Sequence, residues 1–383
     1  MTKRKVCVVT GSRSDYDLFF PVLKKIIASC SLKLQIIATS SHLSIEHGMT
    51  VKKIEEDGFF LDDKIDNLSL DDTSSSIAKS TGLATMLLSD SFNKLKPDVI
   101  LLLGDRFETH AAATAAMLMN IPIAHIHGGE ITEGAIDEKI RHSITKMSVL
   151  HFCSNEVYRR RLIQMGEDPQ KVFNSGAPAI DNILNCALLS IGQLEVDLNF
   201  TFHNHKTALI TFHPETLSMS NLTDELGKMF GILKESKLNI IFTYANADSG
   251  GRLINEMIEV FCKSDISKYI VYKNLGMTKY LSLMSHVDLL IGNTSSGIIE
   301  AASFKKPVVN IGSRQKGRIR NLNVVDSEMD NLKDSINLAL SKDFANKIHG
   351  IKNIYGDGLA SEIIVKRLED QELSVRKVFF DQT

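Results

Sequence analysis

The sequence predicts an α/β protein made of two parallel-sheet units, each wrapped by helices, facing each other across a cleft. Three observations predict it. Short runs rich in Val, Ile and Leu alternate with longer segments of helical spacing, as parallel strands joined by helical crossovers require. That rhythm runs through the chain twice, with a break between. A length of 383 residues also exceeds one ordinary core, at roughly 150 residues per domain.

In the first half the strand-like runs are KVCVVT (5–10), LKLQIIAT (32–39), DVILLL (98–103), IPIAHI (121–126) and VLHFC (149–153). Helical segments follow them. SDYDLFFPVLKKIIASC offers Ser14 or Asp15 as an N-cap, and DTSSSIAKSTGLATMLLSDSFNKL carries apolar residues near helical spacing. The second half repeats the pattern with TALITFH (207–213), LNIIFTY (238–244), YIVYK (269–273), VDLLIG (287–292) and PVVNIG (307–312). Over 175–206 the rhythm weakens and Gly and Pro appear, which places the junction near 176–180. The expected units are therefore 1–177 and 178–357.

Composition narrows the function. Hydrophobic residues are 43% and charged residues 23%, ordinary globular values that favour neither disorder nor a membrane class. A net charge of -2, a pI near 6.6 and the lack of a long basic run argue against nucleic acid or an anionic membrane as main partner. An anionic ligand must then be held by a local pocket. The apolar run at 6–9 is too short for a signal-peptide core, and the longest runs fall far below the about 20 residues that span a bilayer, so a cytoplasmic location is expected. Five scattered cysteines without C-x-x-C predict free thiols rather than disulfides or a cysteine zinc site.

Sheets of this kind gather ligands beyond the carboxyl ends of their strands, so motifs there carry the most weight. TGSRSDYD follows the first strand. Gly11 permits a tight turn, and Ser12, Arg13 and the next helix's amides form either a phosphate site or a plain connection. Its spacing is neither G-x-G-x-x-G nor G-x-x-x-x-G-K-[ST]. After the run at 98–103, Asp105 is either the N-cap of an alanine-rich helix or a carboxylate facing the crevice. Arg106 beside it can fix that carboxylate or meet a phosphate.

Acids then crowd into HIHGGEITEGAIDEKIRH (125–142). On a strand His125 and His127 share a face, but no third ligand has metal spacing, so no metal is expected. Gly128 and Gly129 let the backbone turn. Asp137 with Arg141, and Glu138 with His142, are i,i+4 pairs, read either as a solvated ion-paired face or as part of an acid cluster whose members raise one another's pKa.

In the second half His213 precedes Pro214 at a strand end, where an imidazolium can stabilise a departing phosphate. Thr294, Ser295, Ser296 and Gly297 lie between a strand and a helix and suit a diphosphate; Glu300 can accept from ribose hydroxyls. Arg314, Lys316 and Arg318 form either a surface patch or a further diphosphate contact.

Taken in order, TGSRSDY, GDRFE, HIHGGE, IDEKIRHSITKMS, FHPETLS, NADSG, GNTSSGIIE and NIGSRQKGRIR resemble the hydrolysing UDP-N-acetylglucosamine 2-epimerases, in particular the NeuC-like branch of bacterial sialic acid biosynthesis. The resemblance covers about residues 5–320. It implies a glycosyltransferase-B-like pair of Rossmann-like domains, with a helix within about 358–383 packing back on the first. It also implies a homo-oligomer, dimer or tetramer, acting on a UDP-sugar without cofactor or metal. The implied reaction converts UDP-N-acetylglucosamine to N-acetylmannosamine and UDP through 2-acetamidoglucal. A weakly acidic C2–H leaves only as UDP departs from C1, and water then adds, so at least one base and one acid are needed.

Carried onto this chain, the catalytic carboxylates are Asp105 and Asp137 and the leaving-group histidine is His213. Arg13 and Arg314 become substrate contacts, Thr294, Ser295 and Ser296 the diphosphate turn, and Glu300 the ribose acceptor; Arg106 and Asn246 are further candidate substrate contacts. His127 stands where many relatives have glutamate, and Leu18 where non-hydrolysing relatives have lysine. A second carboxylate role then falls to Glu130 or to His127 itself. A UDP-linked 2,4-diacetamido-6-deoxy sugar of the legionaminic type fits the same chemistry, and an acceptor-dependent glycosyltransferase is a more distant alternative.

Overall fold

The computed structural model describes residues 3–69, 73–133, 135–202, 205–214, 222–245 and 250–382. The chain divides into two compact units: Met1–Glu130, Ile136–Asn182 and Tyr355–Thr383 form the first, and Ile131–Ala135 with Ile183–Ile354 the second. Among the described residues no helix is long and apolar enough to cross a membrane.

The first unit holds β1 (Arg4–Thr10), β2 (Leu32–Thr39), β3 (Asp63–Ile65), β4 (Val99–Leu103), β5 (Ile123–Ile126), β6 (Leu150–Cys153) and β7 (Val172–Asn174). They form one sheet in the order β3-β2-β1-β4-β5-β6-β7, every neighbouring pair parallel. β1 sits between β2 and β4 with helices over both faces, so residues 6–9 are all buried and read as a continuous apolar run. The order reverses between β1 and β4, and the loops after these two strands flank the resulting crevice.

The second unit repeats the plan with β8 (Thr207–Thr211), β9 (Asn239–Thr243), β10 (Tyr269–Tyr272), β11 (Leu289–Gly292), β12 (Val308–Ile311) and β13 (Val324–Ser327). Its order is β10-β9-β8-β11-β12-β13, again parallel throughout, with the reversal between β8 and β11. β3, β7 and β13 have no counterpart among the strand-like runs of the sequence. These are edge strands of three or four residues, and DKI, VFN and VVDS bury too few side chains to write an apolar run.

Helix Arg13–Ala28 starts two or three residues earlier than expected. Its N-cap is Ser12, whose extended backbone (φ -147°) lets Oγ accept the Asp15 amide at 3.4 Å, so neither Ser14 nor Asp15 caps it. Pro21 lies inside this helix and cannot donate to the Asp17 carbonyl; Asn182 Nδ2 donates there instead, at 2.5 Å. The helix buries Tyr16, Phe19, Val22, Leu23 and Ile26 in the core that also takes Ile364, Val365 and Leu368 of the C-terminal helix Ala360–Asp370.

That returning helix is held by a buried carboxylate. Asp181 accepts the amides of Ala360 and Ser361 at 3.1 and 2.8 Å and the Ser361 hydroxyl at 2.5 Å, satisfying donors that a helix N-terminus leaves open. Asp181→Ala strands these donors away from water and is expected to cost about 2–4 kcal/mol, from about 1–3 kcal/mol per unsatisfied group. A urea denaturation midpoint lowered accordingly agrees with this role, and an unchanged midpoint contradicts it.

Candidate active site

The crevice between β1 and β4 is lined with acids held by cations. Gly11 directly follows β1, and a Cβ there would collide with the Glu108 side chain, so only glycine lets that carboxylate lie against the turn. Glu108 is buried; its Oε1 accepts from Arg106 Nε at 2.8 Å, and its Oε2 has no hydrogen-bond partner among the described residues. Asp15 is buried beside them. Burial pushes its carboxyl up, Arg106 pulls it down, and Glu108 and Asp105 push it up further, leaving it at about 7.

Asp105 is not the N-cap of the following helix. Arg106 takes that position for Phe107–Leu118, and Gly104 turns the chain with φ +78°, leaving the Asp105 carboxylate to pair with Arg141. The turn is fixed from behind by His125, which burial pushes down to about 3 and so keeps neutral. Its Nε2 donates to the Gly104 carbonyl at 2.7 Å.

Arg141 joins the remaining parts. It lies on helix Asp137–Met147 with Ile144 and Thr145 on the inward face and is fully buried, so the solvated ion-paired reading of that helix does not hold at this residue. Nη1 donates to the Glu130 carbonyl at 2.9 Å and to Glu138 Oε2 at 3.0 Å, and Nη2 donates to Asp105. The Glu138–His142 pair does form, at 2.9 Å. Asp137 is the first residue of this helix and is half-buried.

His125 and His127 do not share a strand face, because β5 ends at Ile126 and His127 has φ +68°. The turned chain brings His127 Nδ1 to 2.6 Å from Glu130 Oε1, which also accepts from Ser154 Oγ at 2.9 Å. Arg13 opens helix Arg13–Ala28, where burial raises the Asp17 carboxyl to about 6 against the pull of the Arg13 and Lys53 charges and with a smaller push from Asp57. Of the residues expected in this half, Asp105, Glu130 and His127 are thus joined through Arg141, and Arg106 lies next to Asp105.

In the second unit the matching crevice, between β8 and β11, holds the other expected group. Gly292 has φ +133°, and a Cβ there would collide with the Thr211 carbonyl, so β11 can end hard against β8 only with glycine. Asn293, fully buried, clasps the backbone of His213 from both sides: its Oδ1 accepts the His213 amide at 2.7 Å and its Nδ2 donates to the His213 carbonyl at 2.8 Å. Thr294 caps the short helix Ser295–Ile299, accepting the Ser296 amide at 3.4 Å. The Ser296 hydroxyl takes a bond from Tyr280 at 2.9 Å and donates to Glu300. Arg314 and Gln315 donate to the Asn293 carbonyl at 3.1 and 2.9 Å.

Asn246 lies outside the described residues. Asp15, Glu108, Arg141, Asn293 and Gln315 were not singled out from sequence as site residues. A signal existed for Arg141, whose spacing to Ile144 and Thr145 marks the inward stripe of its helix. Among the described residues no group of His, Cys, Asp and Glu is arranged to hold a metal ion.

The Asp15 environment predicts a pH dependence. Its folded pKa lies above the ordinary 3.8, so the folded chain binds the extra proton between about pH 4 and 7, and this group's contribution to stability is lost as pH rises through that window. Asp15→Asn mimics the neutral acid. It should match the wild type near pH 4 and exceed it near pH 8, by up to about 4 kcal/mol. Denaturation midpoints at the two pH values check this; a difference that does not grow with pH contradicts it.

The model of a family described as UDP-N-acetylglucosamine 2-epimerase matches residues 24–369. A GDP/UDP-N,N'-diacetylbacillosamine 2-epimerase (hydrolyzing) of Campylobacter jejuni is 44% identical over 345 residues, covering 90% of this chain and 89% of that protein. The UDP-N,N'-diacetylbacillosamine 2-epimerase (hydrolyzing) of Legionella pneumophila is 37% identical over 359 residues, 94% of each chain. Among solved structures, the UDP-GlcNAc 2-epimerase of Neisseria meningitidis bound to UDP-GlcNAc superposes with a TM-score of 0.82 at 23% identity, over 95% of this chain and 99% of that one. That likeness shows the fold, two parallel-sheet α/β domains of the glycosyltransferase-B-like kind. With a family match over most of its length and relatives well above 30% identity, the chain belongs to the UDP-N-acetylglucosamine 2-epimerase family.

Proposed function

We propose that this protein is a hydrolysing 2-epimerase whose substrate is UDP-N,N'-diacetylbacillosamine, a UDP-linked 2,4-diacetamido-6-deoxy sugar, releasing UDP and the free sugar inverted at C2. The observation that supports the reaction type is the Asp105–Arg141–Glu130–His127 network, which joins two carboxylate side chains and an imidazole at a strand-end crevice. The choice of sugar rests on the names of two relatives at 44% and 37% identity, both specifying diacetylbacillosamine. They favour the second of the two sugar nucleotides considered from sequence over UDP-N-acetylglucosamine and a role in sialic acid biosynthesis.

The reaction is elimination followed by hydration. A base takes the C2 proton, the C2–H electron pair becomes the C1–C2 double bond, and the C1–O bond breaks with its pair on the diphosphate. Water then adds at C1 while an acid returns a proton to C2 on the opposite face. Both halves are redox-neutral and call for no cofactor. Asp105 and Asp137 are assigned to proton transfer. His213, Arg13, Arg314 and the turn at 294–296 are assigned to the charge developing on UDP, with Arg106 and Glu300 as further substrate contacts.

Parallel assays on UDP-N,N'-diacetylbacillosamine and UDP-N-acetylglucosamine test the substrate: kcat/KM at least about tenfold higher for the diacetamido sugar is expected, a difference the size of one or two added contacts. The reverse preference would reassign the substrate, and strict dependence on an acceptor would replace the epimerase by a transferase. Asp105→Asn and Asp137→Asn should each lower kcat by about 100-fold or more while still binding UDP. Near-normal turnover in either removes that residue from the scheme.

A further inference from the structure

His127 combines a strained backbone with an unmatched side chain. Its φ of +68° lies in the left-handed region, which non-glycine residues occupy at a cost and which clusters at functional sites. The imidazole is only 6% exposed, and its Nε2 is buried with no hydrogen-bond partner among the described residues.

The partners of His127 determine what that nitrogen presents. Glu130 Oε1, at 2.6 Å from Nδ1, is a carboxylate oxygen and accepts, so Nδ1 carries the ring proton and Nε2 presents a lone pair. Glu130 is itself held firmly. Ser154 donates to the same oxygen at 2.9 Å, and Arg141 grips its backbone carbonyl at 2.9 Å. Gly129, with φ +79°, lets the preceding turn press so close that a Cβ would sit 2.6 Å from the Tyr158 carbonyl. A fixed carboxylate, an oriented imidazole and a free lone pair are the parts of a base held by a third group.

Resting on the epimerase reading above, we propose that His127 Nε2 is the base that takes the C2 proton, and that Glu130 is the positioning residue that fixes its tautomer rather than a separate acid or base. The C2–H bond breaks with its proton going to Nε2. Its electron pair forms the C1–C2 π bond, and the C1–O pair leaves on the diphosphate. The imidazolium so formed is countered by Glu130, and its proton passes to water after UDP departs. Asp105 and Asp137 then serve the hydration half, on the opposite face of the ring. A lone pair screened from bulk water exchanges protons only with what enters the site, which suits a base for a weakly acidic C–H.

His127→Asn tests the base while keeping a residue type that tolerates the left-handed conformation. Expected are a kcat lowered about 100-fold or more with KM within about threefold, since only proton transfer is lost. A larger primary isotope effect with substrate deuterated at C2 and partial recovery on adding imidazole should accompany it. Glu130→Gln should lose comparable kcat without responding to imidazole, because its amide donates to Nδ1 and forces the ring proton onto Nε2. A His127→Asn enzyme within about threefold of wild-type kcat, or one that imidazole does not restore and whose isotope effect is unchanged, overturns the base assignment. A fully active Glu130→Gln overturns the positioning role, and it stands as a separate test should the asparagine variant fold poorly. If the wild type releases UDP from neither sugar nucleotide, the epimerase reading has failed; if it turns over and the variants match it, only this inference has.

Discussion

A guanidinium withdrawn from water has to be matched, and the matching of Arg141 organises the acid site. Its partners come from the loop after β4, the turn after β5 and its own helix: Asp105, the Glu130 carbonyl and Glu138. Breaking a buried ion pair by removing one partner costs about 3–5 kcal/mol, because the charge left behind is uncompensated. Folding of this region therefore delivers Asp105, Glu130 and the helix that begins at Asp137 as one arrangement. The interaction that stabilises these loops also sets where the residues proposed for proton transfer stand.

The second unit reaches a comparable end by different means. At its strand-order reversal the close approach of β11 to β8 requires Gly292, and the neighbouring Asn293 spends its whole side-chain amide on the His213 backbone. At the first reversal the same pairing of glycine and buried polar group appears as Gly11 and Glu108. At Gly11 the missing Cβ admits the Glu108 side chain, which holds the Arg106 side chain; at Gly292 it lets β11 close on the Thr211 carbonyl, beside the Asn293 side chain that holds the His213 backbone. Parallel sheets leave their strand-end loops without ladder partners, so such side-chain bonds are what hold them.

The legible parts of the sequence were those governed by burial on both faces. β1, β2, β4 and the central strands of the second unit write continuous apolar runs, while DKI, VFN and VVDS at the edges do not. Asp105, Glu130 and His127 stood out because each follows a strand end. Arg141 was read against neighbours four residues away, whereas a principal partner, Asp105, is 36 residues distant and is brought near only by the pairing of β4 with β5. The shared face predicted for His125 and His127 failed for a local reason: alternation ends with the strand, one residue before His127. Ser12 displaced Ser14 and Asp15 as helix cap because β1 stops at Thr10 and the chain turns at once.

Everything proposed for the site converges on the sugar's C2–H, broken and remade with solvent as the proton source. The most direct measurement is the reaction run in D2O on UDP-N,N'-diacetylbacillosamine, with the product examined by NMR. The expected product is a free sugar of inverted C2 configuration carrying a single deuterium at C2, formed one for one with UDP. A product that keeps protium at C2, or an epimer still linked to UDP, would contradict that expectation.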